Sequence, residues 1–151
     1  MGYNNPRGAL KQYGQVATQA GVAVADPHRL IQMLLDGALE KIATAKGFMQ
    51  RGEIAKKGNN LTWAISIIDG LRVSLDKEKG GEIARNLDDL YDYMERRLFQ
   101  ANLENNIDLL DEVTGLLREI KSAWDAIPDE VRKSYGRDTE IHSTHSGLGV
   151  G

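Results

Sequence analysis

The side chains able to take part in metal or acid–base chemistry are three histidines and a larger number of carboxylates. His28 falls in the first turn of a predicted helix, and His142 and His145 lie near the end of the chain. No Glu-x-x-His pair occurs, so the sequence lacks the ligand set of a di-iron helical bundle. His142 and His145 could bind a metal ion, but the residues around them offer no supporting partners for such ligands. The histidines therefore predict no metal site.

Carboxylates are frequent on the predicted helices, as Asp36, Asp88, Asp89 and Asp92 illustrate, but nothing couples them into an acid–base pair. The glycine-rich phosphate-binding motifs G-x-x-x-x-G-K-[ST] and G-x-G-x-x-G do not occur within a strand–loop–helix unit. A histidine phosphotransfer bundle would need its histidine in the middle of a helix, and His28 is misplaced for that. The chain contains no cysteine, which excludes disulfides, thiol catalysis and thiolate metal sites. We therefore expect neither an enzyme nor a cofactor.

The composition is that of a globular domain rather than of a nucleic-acid-binding or membrane protein. The 151 residues carry a formal net charge of −3, whereas nucleic-acid-binding domains are usually clearly basic. No apolar run approaches the roughly 20 residues of a membrane span. The first residues lack the apolar core of a signal peptide, and Pro6 stands where a myristoylation signal requires Ser or Thr. A cytoplasmic protein without membrane insertion is expected.

Four segments show apolar residues at the spacing of three and four that is typical of amphipathic helices. Asp26 followed by Pro27 is a strong helix start, and Pro128 prevents the last helix from continuing. No strand pattern competes with these helices. The sequence therefore predicts an all-α protein, an antiparallel up-down-up-down four-helix bundle. The predicted helices span residues 26–52, 53–75, 80–106 and 107–127.

The second and third predicted helices carry more apolar surface than a simple bundle position needs. In the third, Tyr93 and Phe99 lie to either side of the apolar stripe, which consists of Ile83, Leu87, Leu90, Met94, Leu98 and Ala101. In the second, apolar residues cover an arc of roughly 160°, against about 100° for an ordinary surface helix. Either this helix is central in the bundle, or it leaves an apolar groove exposed. A kink near Gly58 is also expected in it.

The sequence predicts three regions along the chain. They are an N-terminal arm of residues 1–25, the bundle of residues 26–127, and a disordered C-terminal tail of residues 128–151, which is polar and has no apolar period. In the arm, Leu10, Tyr13 and Val16 have helical spacing, which is consistent with a short helix that forms only when docked. A frayed terminus explains the same residues equally well.

The sequence resembles the FliS family of flagellar export chaperones over about residues 8 to 127. The first helix carries PHRLIQML followed by DGA, beginning at Pro27, and the second carries AISIIDGL from Ala64. Trp124 falls where the family commonly has a tryptophan late in the fourth helix. The similarity rests on the order and spacing of several motifs. It is strongest in the third helix, at GGEIA from Gly80, NL from Asn86, LYDYM from Leu90 and AN at Ala101–Asn102.

This resemblance implies a bundle that binds the C-terminal segment of newly made flagellin in the cytosol. Such chaperones prevent premature polymerisation and bring flagellin to the flagellar type III export apparatus, without ATP or a cofactor. The flagellin segment is disordered in the monomer and helical in the filament core, so a chaperone bound to it blocks filament contacts. The predicted flagellin groove on helices two and three comprises Ile65, Ile68, Leu71, Tyr91, Met94, Leu98 and Asn102.

The resemblance further implies that an N-terminal arm bearing a tyrosine covers the apolar surface when flagellin is absent. Tyr13 is the best match for that tyrosine, and the predicted lid consists of Leu10, Tyr13 and Val16. Three alternatives remain: an adaptor module in signalling, an enzyme with an unrecognised carboxylate site, and a bundle whose surplus apolar surface serves only to dimerise. Self-association of the cargo-free chain is compatible with the chaperone function as well as with the last alternative.

Overall fold

The computed structural model describes residues 26–128, which form four helices joined by short turns. The prediction of an all-α fold is confirmed, and no strand occurs among the described residues. The predicted arm and nearly all of the predicted tail lie outside the described residues. The helices are α1 (Pro27–Gln50), α2 (Ile54–Val73), α3 (Lys77–Glu104) and α4 (Ile107–Asp125).

Short polar side chains set the helix ends. The Asp26 carboxylate accepts a hydrogen bond from the backbone N–H of Arg29 at 3.1 Å, and Pro27 occupies the first helical position, as the sequence predicts. Asn105 adopts the left-handed conformation with φ of 52°, which ends α3, and the neighbouring Asn106 caps α4 through its side chain. The chain therefore reverses direction between α3 and α4 within two residues.

The structure differs from the predicted helices in two details. The stretch around Gly58 contains no kink, since α2 runs continuously from Ile54 to Val73. A short helical segment that the prediction omits begins at Lys77, where the Asp76 carboxylate caps it, and the third predicted helix follows across a kink. The kink is at Gly81, whose φ of 53° and ψ of −126° are not helical, so the main part of α3 starts next to the predicted position 80.

The four helices form a ring in which each packs against two neighbours. Helix α1 packs against α2 and α4, and α3 packs against the same two helices. Contacts distant in sequence show that neighbours run in opposite directions. The first half of α1 meets the end of α4 through the Lys121–Asp36 pair. The end of α1 meets the start of α4 through the Lys46–Asp111 pair. The arrangement is an antiparallel bundle with short connections.

The interior between the helices is filled by aliphatic side chains from all four of them. Burial of this kind is the main favourable contribution to folding, at roughly 25 cal/mol per Å² of apolar surface. The largest fully buried side chains are Leu34, Leu35, Ile42, Leu61, Ile67, Ile68, Leu71, Met94, Leu98, Leu110, Val113 and Leu117.

Lys57 is a buried charge that ties α2 to the end of α3. Its side chain is 3% exposed, and its Nζ donates to the backbone oxygen of Asn102 at 2.9 Å and to the Asn105 side-chain oxygen at 2.7 Å. The free carbonyl groups at a helix C-terminus carry partial negative charge, which makes this a favourable place for an ammonium group. Lys57 thus holds the two helices together at one end.

His28 and Trp124 connect the start of α1 to the end of α4. Their rings stack with centroids 5.0 Å apart. The indole N–H donates to the backbone oxygen of His28 at 3.0 Å, and the histidine Nε2–H donates to the backbone oxygen of Trp124 at 2.9 Å. Trp124 is partly buried against the edge of the core rather than fully enclosed in it.

Replacement of Trp124 by alanine is expected to destabilise the bundle by about 3 kcal/mol, because it removes the stacked ring and leaves the His28 oxygen without its donor. Trp124→Phe keeps a ring over His28 and loses only the indole hydrogen bond, so it should cost about 1 kcal/mol. Urea unfolding followed by circular dichroism measures both. An alanine variant whose unfolding midpoint lies at the same urea concentration as that of the parent protein would contradict a structural role for this residue.

Candidate functional site

Five large apolar side chains of the described residues remain exposed although the core is filled. They are Ile54 (55%), Val73 (49%), Ile83 (72%), Phe99 (60%) and Leu103 (71%). Single exposed apolar residues are common, so their arrangement decides whether they form a site. Leu103 follows Phe99 by one turn on the same side of α3. Ile54 lies near the start of α2, the end that Lys57 joins to the end of α3.

A surface cavity of about 350 Å³ lies between α2 and α3, and the exposed Phe99 is one of the residues that line it. Ile65 is half-buried and packs against the core. Ile54 precedes Ile65 by about three helical turns, so both lie on the same side of α2. We name the surface formed by this cavity and by Ile54 and Leu103 the α2/α3 groove. The cavity is lined by Ile65, Asp92, Glu95, Arg96 and Phe99.

The end of the groove away from Leu103 is ionic and is built around one arginine. Arg72 of α2 reaches across to α3, where its Nε lies 2.9 Å from an Asp88 oxygen and its Nη1 lies 3.0 Å from a Glu95 oxygen. The same Nη1 lies 3.4 Å from Asp92 and 3.7 Å from Asp69. We name these five residues the Arg72 cluster. It joins α2 to α3 at the half of the groove that Lys57 does not hold.

The carboxyl groups of the Arg72 cluster differ in how their environment affects ionisation. Burial raises the pKa of Glu95 to about 7, although its hydrogen bond to Arg72 acts in the opposite direction. The hydrogen bonds from Arg72 and Lys77 instead hold the pKa of Asp88 below its usual range. Because these carboxylates favour its charged form, the pKa of Arg72 is raised. Glu95 is therefore the member of the cluster whose charge changes near neutral pH.

Most of the residues predicted to line the groove lie in the core of the bundle instead. Their relative exposure is at most 4%, whereas Ile65 and Asn102 are half-buried at the surface. The physical reason is that α2 and α3 each contact two other helices, and these neighbours cover most of their wide apolar arcs. The residues to which this correction applies are Ile68, Leu71, Tyr91, Met94 and Leu98.

The two aromatic residues that flank the stripe of α3 have different surroundings. The Tyr93 hydroxyl donates to Glu112 of α4 at 2.6 Å, and the Arg97 guanidinium lies over its ring. Tyr93 therefore belongs to the α3–α4 contact, while Phe99 stays exposed at the groove. Ile83, expected on the buried stripe, is exposed, and the neighbouring Ala84 is buried instead.

Sequence reasoning missed Leu103 and Ile54 as groove residues, along with the Arg72 cluster. The spacing of four between Phe99 and Leu103 is a signal that could have indicated a common surface. No comparable signal exists for the cluster, since an arginine and carboxylates on separate helices show no fixed spacing. The predicted lid residues Leu10, Tyr13 and Val16 lie outside the described residues.

The α2/α3 groove offers shape, apolar surface and charge rather than reactive groups. No group of three or more His, Cys, Asp or Glu side chains within residues 26–128 is placed to hold a metal ion. None of the described helices is long and apolar enough to span a membrane. An apolar groove between two helices is the kind of surface that binds the apolar face of a third helix.

Comparison with known proteins gives a consistent result over most of the chain. Residues 9–131 match the family model for the flagellar protein FliS. The chain is 56% identical over 119 residues to the flagellar secretion chaperone FliSB of Pseudomonas aeruginosa, covering 79% of this chain and 94% of the relative. It is 51% identical over 119 residues to the flagellar secretion chaperone FliS of Salmonella typhimurium, covering 78% and 88%. The Vibrio cholerae protein of that name is 47% identical over 124 residues, covering 82% and 91%.

A Glu95→Gln substitution should change how the stability of the bundle depends on pH. The pKa of Glu95 rises from its ordinary value of 4.5 to about 7 on folding. Its contribution to stability is thus fully present below about pH 4.5 and is lost as the pH rises through about 7. Between about pH 5 and pH 8 the parent should lose stability relative to the variant, as urea unfolding would show. Identical pH dependence in both proteins would contradict this, and exposed Glu119 supplies a matched Gln control.

Proposed function

The chain belongs to the FliS family of flagellar secretion chaperones, and on that premise we propose that it binds the C-terminal segment of flagellin in the cytosol. In this proposal the bound segment cannot polymerise early, and the chaperone brings flagellin to the flagellar type III export apparatus. The activity requires no ATP and no cofactor. The relatives' names support the chaperone and secretion parts of this function.

The observation that carries the binding part of the proposal is the exposed apolar surface of the α2/α3 groove. Phe99 and Leu103 are more than half exposed on adjacent turns of α3, and Ile65 lies across the cavity on α2. An amphipathic helix of flagellin could place its apolar face on these side chains. The same face packs in the filament core, so its burial in the groove would block filament contacts.

The disorder of the free flagellin segment limits how tightly it is bound. A segment that folds on binding loses conformational freedom, and this cost lowers the affinity per unit of buried area. A chaperone that must release its cargo at the export apparatus benefits from such moderate affinity. Binding through a groove of a few exposed side chains, rather than a large enclosed pocket, is consistent with release.

The N-terminal arm is proposed to cover the groove when flagellin is absent. Leu10, Tyr13 and Val16 would lie on one side of a short helix. That side would give the exposed apolar side chains of the groove an apolar partner. A lid of this kind reduces exposed apolar surface, which otherwise favours self-association. Because the lid competes with flagellin, its own docking must be weak.

The charge substitutions Phe99→Asp and Leu103→Asp should each weaken flagellin binding by about tenfold or more, because each places a carboxylate in the apolar contact. Calorimetric titration with a synthetic peptide covering the C-terminal segment of flagellin from the same cell measures the affinity. Neither substitution should unfold the bundle, since both side chains are largely exposed.

Ile83→Asp is a matched control for these variants. Ile83 is 72% exposed and Leu103 is 71% exposed, and both lie on α3 but near opposite ends. We expect Ile83→Asp to bind the peptide as the parent does. Equal weakening by Ile83→Asp, or parent-like binding by both groove variants, would show that the peptide contacts another surface.

Deletion of residues 1–17 tests the lid. Flagellin binding should become tighter or stay unchanged, because a competitor for the groove is removed, and the free protein should self-associate more readily. Calorimetry and sedimentation of the free chain measure the two effects. If the deletion instead weakens binding severalfold while the bundle stays folded, the arm is part of the cargo site and not a lid.

A further inference from the structure

The two ends of the α2/α3 groove differ chemically. At one end Phe99 and Leu103 present apolar surface on adjacent turns of α3. In the other direction from Phe99, Glu95 lies one turn away and Asp92 two turns away; both line the cavity and belong to the Arg72 cluster. A helix lying in the groove therefore meets apolar groups at one end and carboxylates at the other.

The carboxylates of this half outnumber the cations that face them. The cations are Arg72, Lys77 and Arg96, and the carboxylates are Asp69, Asp88, Asp92 and Glu95. Lys77 pairs with Asp88, and Arg96 pairs with Asp92. Among the described ion pairs, Asp69 and Glu95 have Arg72 alone, which they share with the other two carboxylates. When all four carboxylates are ionised, one further cation at the cavity would balance the charges.

The position of Glu95 makes an added cation favourable there. Its side chain is 16% exposed and lines the cavity, so an entering charge would contact it in a partly dehydrated setting. Burial and the nearby Asp69 carboxylate both raise the pKa of Glu95, which means that its ionised form is short of compensating positive charge. A lysine or arginine side chain of a bound helix would supply that charge.

We propose that the α2/α3 groove selects a helix with a basic residue one to two turns from its apolar anchors and binds it in a single orientation. The apolar anchors rest on Phe99 and Leu103, and the basic side chain lies beside Glu95 and Asp92. This inference rests on the proposed function and specifies which part of the flagellin segment occupies the groove. The charged half thereby sets direction and register, as charge complementarity does at other interfaces.

A second copy of this chain fits the groove less well than a basic helix. If two copies packed their α3 helices in opposite directions about Phe99, Glu95 of each would face Leu103 of the other. A carboxylate buried against leucine loses hydration without gaining a partner. The same surface thus disfavours the dimer and favours a partner whose charge complements it.

The test is a charge reversal on the chain combined with charge reversals on the cargo. Asp92→Lys places a cation beside Arg72 and Arg96 at the cavity, and it should weaken binding of the flagellin C-terminal peptide at least tenfold. Peptides in which each Lys or Arg in turn is replaced by Glu should include one that binds Asp92→Lys better than the unchanged peptide does. Asp111→Lys is the matched control, since Asp111 is an exposed, paired carboxylate on α4.

The outcomes separate this inference from the proposed function. Weakening by Asp92→Lys with recovery by one reversed peptide supports the inference. Parent-like binding by Asp92→Lys, while Phe99→Asp abolishes binding, overturns the orientation but leaves the groove as the cargo site. Weakening that no reversed peptide relieves, or that Asp111→Lys reproduces, also overturns it, since the loss then does not come from a cargo cation. If the parent binds no flagellin peptide, the proposed function fails and this inference fails with it.

Discussion

The filled interior of the bundle is the constraint on which the rest of the structure depends. Protein interiors are packed to about the density of organic crystals, so a core filled by four helices has no space for further side chains. Ile68, Met94 and Leu98 occupy this core. Apolar residues of α2 and α3 that point past it, such as Phe99 and Leu103, remain at the surface. The candidate binding site therefore consists of apolar side chains that the core does not bury.

Polar contacts keep this leftover surface in a defined shape. Lys57 binds the end of α3, and Arg72 joins α2 to the middle of α3, so the two walls of the groove are held together on either side of the cavity. The partly buried ion pairs need not add much stability, because dehydration of the charges offsets their attraction. Their effect is to fix the spacing of two helices, and they give one half of the groove its negative charge.

The fold could be predicted from the sequence because its signals are local. The Asp26–Pro27 start and the boundary between the last two helices near residue 106 depend on neighbouring residues, and the structure confirms both. The site could be predicted only in part. Periodicity shows that Leu71 is apolar and on a given side of α2, but it does not show which other helix covers that side. Periodicity likewise places Ile83 on the buried stripe, whereas the structure buries the neighbouring Ala84 and leaves Ile83 exposed.

Methyl NMR of the chain with and without the flagellin C-terminal peptide tests most directly whether the flagellin segment binds in the α2/α3 groove. Isoleucine and leucine methyl groups lie throughout the bundle, so each surface reports separately. We predict that the largest shifts fall on Ile54, Ile65 and Leu103, with little change at Ile83. Shifts centred on Ile83 or on the outer surface of α1 and α4, with the groove methyl groups unchanged, would contradict the claim.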